Sequence, residues 1–276
     1  MIDLPKALAP LKDDRLFQKA GIVFGLYLAI FLISLLFNVT TYFSSSLLGI
    51  FPNADRELLN ILVEILSILI VILVTFPVSI YLLGYQFRIA DAVRKGKEST
   101  LPEHDSIWGT CKLGVVYSTL GFIMLAPLVI IGIIVFVLSL GVVVSLSDTS
   151  NGSSGMVLGG VAGLVIITLM LGVLTFLVST ILMPACMYVY LKTGKLSAAL
   201  SFSRVRDVIS AAWLPFLIIA GLRMILSFAM GVVMLVTCCA GPILRPLLDT
   251  LTLLVCGGLF GAVFHEIEIT LPVSEG

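Results

Sequence analysis

Six stretches of this chain are each long and apolar enough to cross a lipid bilayer, and they leave room for little else. They run over residues 20–43, 58–84, 113–144, 157–190, 212–237 and 247–264. A hydrocarbon core about 30 Å thick needs about 20 apolar residues of helix. Val, Ile and Leu fill the stretches without period-2 alternation, so they read as helices rather than barrel strands. Composition agrees: 59% of the 276 residues are hydrophobic and 12% are charged, against about 25% charged in a soluble domain. Lipid is the solvent such a chain needs. The expected fold class is an all-α integral membrane protein, with six transmembrane helices in a single domain over residues 1–276.

The positions of the basic residues orient it. Lys6, Lys12, Arg15 and Lys19 occupy an N-terminal arm, residues 1–19. Arg88, Arg94, Lys95, Lys97 and Lys112 fall in the connection 85–112, and Lys192, Lys195, Arg204 and Arg206 in the connection 191–211. These are thirteen of the sixteen Lys and Arg; the opposite side has only Arg56 and Arg245. By the positive-inside rule both termini and both basic elbows are cytoplasmic. The first span, about 24 residues long, exceeds the 7–15 of a signal-peptide core and reads as a retained helix. The expected location is the cytoplasmic (inner) membrane, or an internal membrane such as a thylakoid if the host has one. The loop 145–155 reads as a flexible polar turn on the outer side; its Asn151-Gly152-Ser153 sequon is of a kind that arises often by chance.

The middle helices read as two copies of one unit. Pro77-Val78-Ser79-Ile80-Tyr81 in helix two matches Pro184-Ala185-Cys186-Met187-Tyr188 in helix four. Gly96-Lys97 and Gly194-Lys195 follow, then Trp108 and Trp213, at 31 and 29 residues after the prolines. Helices 2–3 and 4–5 would then form a tandem parallel repeat. In the second elbow Ser197 is a cap candidate, and Ala198, Phe202, Val205 and Ile209 fall at helical spacing, which suits a short helix at the lipid surface. In the first, Leu101-Pro102 breaks the chain, and Asp105 or Ser106 can cap the next helix. Arg88, Arg94, Lys95, Lys97, Trp108, Lys192, Lys195, Arg204, Arg206 and Trp213 are the candidate cytoplasmic interface. They read first as anchors to the membrane surface and second as a docking face for a partner.

Ala7-Leu8, Asp13-Asp14 and Lys19-Ala20-Gly21 precede the first span. Gly84-Tyr85-Gln86-Phe87-Arg88, Arg94-Lys95-Gly96 and Leu101-Pro102 follow the second. In these segments the chain resembles a family of prokaryotic multi-pass membrane proteins catalogued only as a domain of unknown function. The resemblance implies a prokaryotic membrane protein and carries over no catalytic or binding residue.

Ionisable groups inside the spans are where function is sought, since burying charge in lipid is costly. Arg223 lies roughly 15 Å into helix five, and Glu64 roughly 9 Å below the outer end of helix two. An Arg223–Glu64 pair is expected, with Asn38 nearby, as a structural clamp or, alternatively, a substrate or proton site. Arg245 and Asp249 stand one turn apart and can pair. His265, Glu266 and Glu268 lack the spacing of a zinc helix. Adjacent Cys238 and Cys239 are poorly placed for a mutual disulfide, and Cys111, Cys186 and Cys256 read as packing thiols. Gly21 and Gly25, Gly155, Gly159 and Gly163, and Gly257 and Gly261 have the small-xxx-small spacing of close helix packing.

The chain has no phosphate loop, no serine-nucleophile motif, no HExxH, no CxxC pair and no bis-His helix. The expectation is a protein that is not an enzyme, with no cofactor, no metal and no nucleic-acid partner. Its leading functional reading is a non-catalytic integral subunit or assembly factor, partnered by the bilayer and by other membrane subunits or copies of itself. The alternative is a small transporter or lipid-handling protein, with a site at the helix-repeat interface near Arg223. Pro77, Pro127, Pro184 and Pro215, as helix breaks, motivate that alternative.

Overall fold

The computed structural model describes residues 3–47, 56–97, 101–104, 106–147, 154–236 and 241–270. All described secondary structure is helical. After a short α1 (Leu4–Ala7) and a 3-10 turn (Ala9–Lys12) come α2 (Leu16–Leu47), α3 (Arg56–Arg94) and α4 (Ile107–Ser147). Then follow α5 (Ser154–Leu177), a π-turn (Val178–Leu182), α6 (Met183–Thr193), α7 (Leu196–Ala199), α8 (Phe202–Val236) and α9 (Gly241–Thr270). Six helices are long and apolar enough to span a membrane, so the six-span, all-α reading holds. The helices outrun the apolar stretches because α3 and α8 continue into the basic elbows. Asp105, Asp148, the Asn151 sequon, Cys238 and Cys239 lie outside the described residues.

Proline acts differently at each site. A proline inside a helix removes one N–H and crowds the carbonyl four residues back. Ahead of Pro184 the π-turn opens that crowded segment, and the Thr180 and Ser179 hydroxyls donate to the Phe176 carbonyl at 2.6 and 3.0 Å. Such side-chain donors satisfy backbone groups that lipid cannot. Pro215 acts through a kink at Ala212, where φ is −134° and ψ 19°. That kink separates the elbow part of α8 from its span. Pro77 and Pro127 sit inside α3 and α4, which run on as single helices, so neither breaks its span.

Two compact units divide the chain: Met1–Val115 with Ile218–Gly276, and Val116–Leu217. In the first, α9 packs on α2, α3 and the N-terminal arm. Val23, Leu82, Tyr85, Ile89, Val93, Leu253 and Leu254 form its core with Leu101. Backbones approach closely where glycines allow. A side chain at Gly84 would strike the Thr110 carbonyl, and one at Gly114 the Ile80 carbonyl, so α3 and α4 touch through a reciprocal glycine pair. Gly257 and Gly261 receive Ile89 and Val93, and Gly258 receives the Ala7 carbonyl, whereas Gly21, Gly25 and Gly163 meet nothing. Thus the small-residue spacing marks an intramolecular seam on α9 and none on α2.

In the second unit α6 packs on α7, and Met183 reaches the space beside Gly121. The elbow helix differs in detail from expectation. Ser197 lies inside α7, whose N-cap is Lys195. Val205, Val208 and Ala212 are the buried stripe at the start of α8, while Phe202 is exposed. The stripe at i, i+3 and i+7 fits the helical period without Phe202, leaving that ring on the outer face, where aromatics suit a membrane interface. Gly96 and Gly194, the matched turn glycines, both adopt the left-handed conformation, at φ 63° and 67°. This conformation lets glycine end a helix without a Cβ clash.

Candidate functional site

Two polar assemblies stand in the first unit. One is a latch at its basic end, and it starts from the arm. Asp3 caps α1 by accepting from the Lys6 N–H, with Pro5 in the first turn. Asp13 ends the 3-10 turn in an extended conformation and accepts from the Arg15 N–H at 2.9 Å, turning the chain into α2. The same carboxylate meets Lys19 Nζ at 3.4 Å, with side-chain exposures of only 5% and 6%. Lys19 Nζ also donates to the Leu101 carbonyl at 2.7 Å, and the Leu101 N–H donates to Asp13 at 3.3 Å. A buried ion pair is tolerable when hydrogen bonds satisfy its remaining valences, as here.

His104 completes the latch. Its Nε2–H donates to the Lys19 carbonyl at 3.2 Å, so in the neutral ring Nδ1 accepts from the Tyr81 hydroxyl. The ring stacks on Tyr85, centroids 4.9 Å apart, and the Tyr85 hydroxyl donates to the Pro102 carbonyl at 3.2 Å. His104 is therefore a structural joint between arm, elbow and α3.

The candidate interface residues divide by location. Arg88 donates to Thr110 Oγ1 at 2.9 Å and to the Glu103 and Ser106 carbonyls at 3.3 Å, tying α3 to the start of α4. Arg94 is buried, paired with Asp91 at 2.6 Å and with Glu268 at 3.7 Å. Its carbonyl accepts from His265 at 2.9 Å. Lys95 holds the other Asp91 oxygen at 2.6 Å. These three basic groups are thus engaged within the chain. Lys97 is exposed on a cleft of about 410 Å³ that Arg88, Asp91 and Glu103 also line. In the second unit Lys195, Arg204, Arg206 and Trp213 are exposed and Lys192 half-buried. Trp108, 84% exposed, and Phe17, 92% exposed, stand near the basic ends of α4 and α2, as interfacial anchors do.

The other assembly is a cavity of about 330 Å³ among α2, α3, α8 and α9. Its polar wall comprises Tyr27, Ser79, Gln86, Arg223, Ser227, Asp249, Thr252 and Cys256; Ile30, Leu82, Leu83, Met230 and Leu253 supply the apolar part. Arg223 lies eleven residues beyond the Ala212 kink, roughly 16 Å of helix, and Asp249 eight residues beyond Gly241, roughly 12 Å. Arg223 thus stands well inside its span, and Asp249 five residues, roughly 8 Å of helix, inside the apolar part of α9 that begins at Leu244. Tyr27 and Cys256 line the same cavity as Arg223. Asp249 pairs with Arg245 one turn away at 3.9 Å. Arg223 and Ser227, one turn apart, both stay exposed, so the cavity is open along their face.

Among the described residues Arg223 has no ion pair or hydrogen bond. Glu64 stands fifteen residues before Ser79 on the continuous α3, roughly 22 Å of helix away. Its side chain and that of Asn38 lie outside those described. Among the described residues, those that share the cavity with Arg223 include Tyr27, Gln86 and Asp249, none of which sequence spacing links to it. Among the described residues no three of His, Cys, Asp and Glu are grouped to hold a metal.

No curated protein and no solved structure matches the chain. A family model matches residues 65–239, a segment that contains α4 to α8, most of α3 and Arg223, while Tyr27 and Asp249 fall outside it. With well over half its length matched, the chain belongs to the family described as protein of unknown function DUF4013.

Proposed function

We propose that this protein is a small transporter or lipid-handling protein of a prokaryotic cytoplasmic membrane, with its site at the Arg223 cavity. The observation that carries the reading is an open, partly polar cavity well inside the spans, holding an arginine with no described ion-pair partner. Charge at that depth is costly and marks substrate paths by default. The matched Gly-Lys turns, with their shared left-handed glycines, support the tandem repeat of helices 2–3 and 4–5. The thirteen basic residues support cytoplasmic termini. No catalytic residue, cofactor or metal enters this function.

Reconstituted in vesicles, the protein is expected to accelerate transbilayer movement of a fluorescent phospholipid. Arg223→Gln lowers that rate about tenfold, the size of one lost charge-assisted contact, and Arg223→Lys keeps most of it. A wild-type rate equal to that of protein-free vesicles contradicts the reading. The subunit or assembly-factor reading draws on the broad apolar helix faces, which lipid covers equally well. Recovery from native membranes in a defined complex with other chains favours it.

A further inference from the structure

We infer that the Arg223 cavity takes the oxyanion headgroup of a lipid of net charge minus one, a phosphodiester or a carboxylate without a cation of its own, with its chain lying outward between helices. The inference rests on the reading of the cavity as a ligand site and names what fills it. Charge balance sets the sign. Asp249 stands 3.9 Å from Arg245, so Arg223 and Arg245 share this one acid. Arg223 has no described counter-ion, and Glu64 on the neighbouring helix is roughly 22 Å of helix from the cavity wall. One positive charge is left over in a low-dielectric setting, where its attraction for an anion is greatest.

The wall supplies matching donors. The Tyr27, Ser79, Ser227 and Thr252 hydroxyls and the Gln86 amide can donate to oxygens that Arg223 does not reach. A guanidinium suits such a group because its forked donors match two oxygens of a phosphate or carboxylate. The apolar portion and the open face select a tailed ligand over a soluble one. Next to Arg223 on α8, Met224, Ile225 and Phe228 are exposed large apolar side chains, so an acyl chain leaving the cavity meets surfaces of its own kind.

The full chain, purified in mild detergent, is challenged with phosphatidylglycerol, phosphatidylcholine, diacylglycerol and soluble glycerol 3-phosphate, and retained ligand is read by native mass spectrometry. The expected result is at least tenfold preference for phosphatidylglycerol over the other two lipids, with no displacement by millimolar glycerol 3-phosphate. Arg223→Gln abolishes the preference. Asp249→Asn, which removes the one acid on the wall, strengthens retention several-fold, a gain that misfolding cannot imitate. Equal retention of all three lipids, or an unchanged preference in Arg223→Gln, overturns the headgroup assignment while leaving a lipid-binding cavity. Displacement by glycerol 3-phosphate overturns the lipid source in favour of a soluble anion. Retention of no lipid by the wild type overturns the assignment and the functional reading together.

Discussion

Asp13→Ala is expected to lower the thermal midpoint of the detergent-purified protein by on the order of 10 °C. The carboxylate is buried against Lys19 and accepts the Leu101 N–H. Its removal takes the counter-charge from a buried ammonium, which keeps its bond to the Leu101 carbonyl, and one acceptor from the Leu101 N–H. Breaking one side of a buried ion pair costs about 3–5 kcal/mol, and each kcal/mol moves the midpoint by about 2–4 °C in a chain of this size. The double substitution Asp13→Ala/Lys19→Met recovers most of the loss, because the stranded charge is gone. Differential scanning fluorimetry of both variants measures this. Equal loss in the single and double variants would show that the pair is not the joint described.

Gly84→Leu has the second large effect. A Cβ there meets the Thr110 carbonyl, and the facing Gly114 meets that of Ile80, so neither helix can yield without parting the other. Overpacking costs about 1–3 kcal/mol where side chains can move; backbone against backbone exceeds that range. The expected outcome is loss of monodisperse protein on size-exclusion chromatography. Gly21→Leu, where nothing stands within 4 Å, stays within about 0.5 kcal/mol of wild type. Matching behaviour of the two variants would show that α3 and α4 do not meet at Gly84.

The spans were legible because a bilayer reads length and apolarity, and both are local. The start of the fifth span at Ala212 was legible for the same reason, since basic and apolar residues change places there; the kink that the structure has at that residue was not. The cavity was not. Arg223 stood out as a charge in a span, yet its neighbours come from α2, α3 and α9, and no spacing along one helix links Tyr27 or Gln86 to it. Glu64 was the natural partner by estimated depth from the end of its stretch. The continuity of α3 through Pro77 sets the level of Ser79 and Gln86 at the cavity, and Glu64 is then four helical turns away.

The latch was half legible. Asp13, Lys19, Tyr85, Arg88, Arg94 and Leu101 all belong to the segments that carry the family resemblance, and the structure gathers them at one end of the first unit. Asp13 and Lys19 are six residues apart, a spacing that faces no common helix side. Only the 3-10 turn and the start of α2 bring them together. His104 carries no spacing signature of its own; its ring stacks on Tyr85 and joins Tyr81 to the Lys19 carbonyl. Gly84, flanked at that spacing by Ile80 and Arg88, carried no small-xxx-small signature; Gly114, between Thr110 and Ser118, did, but spacing along one helix does not name the facing one.

Whether the Arg223 cavity holds part of a lipid is read by photo-crosslinking in native membranes with a lipid bearing a diazirine near its headgroup, followed by mapping of the labelled residues. Labels are expected on the cavity wall, at Tyr27, Met230 or Leu253, and fall away in Arg223→Gln. Labels confined to the outward faces of α4 and α5, unchanged by that substitution, would contradict lipid in the cavity.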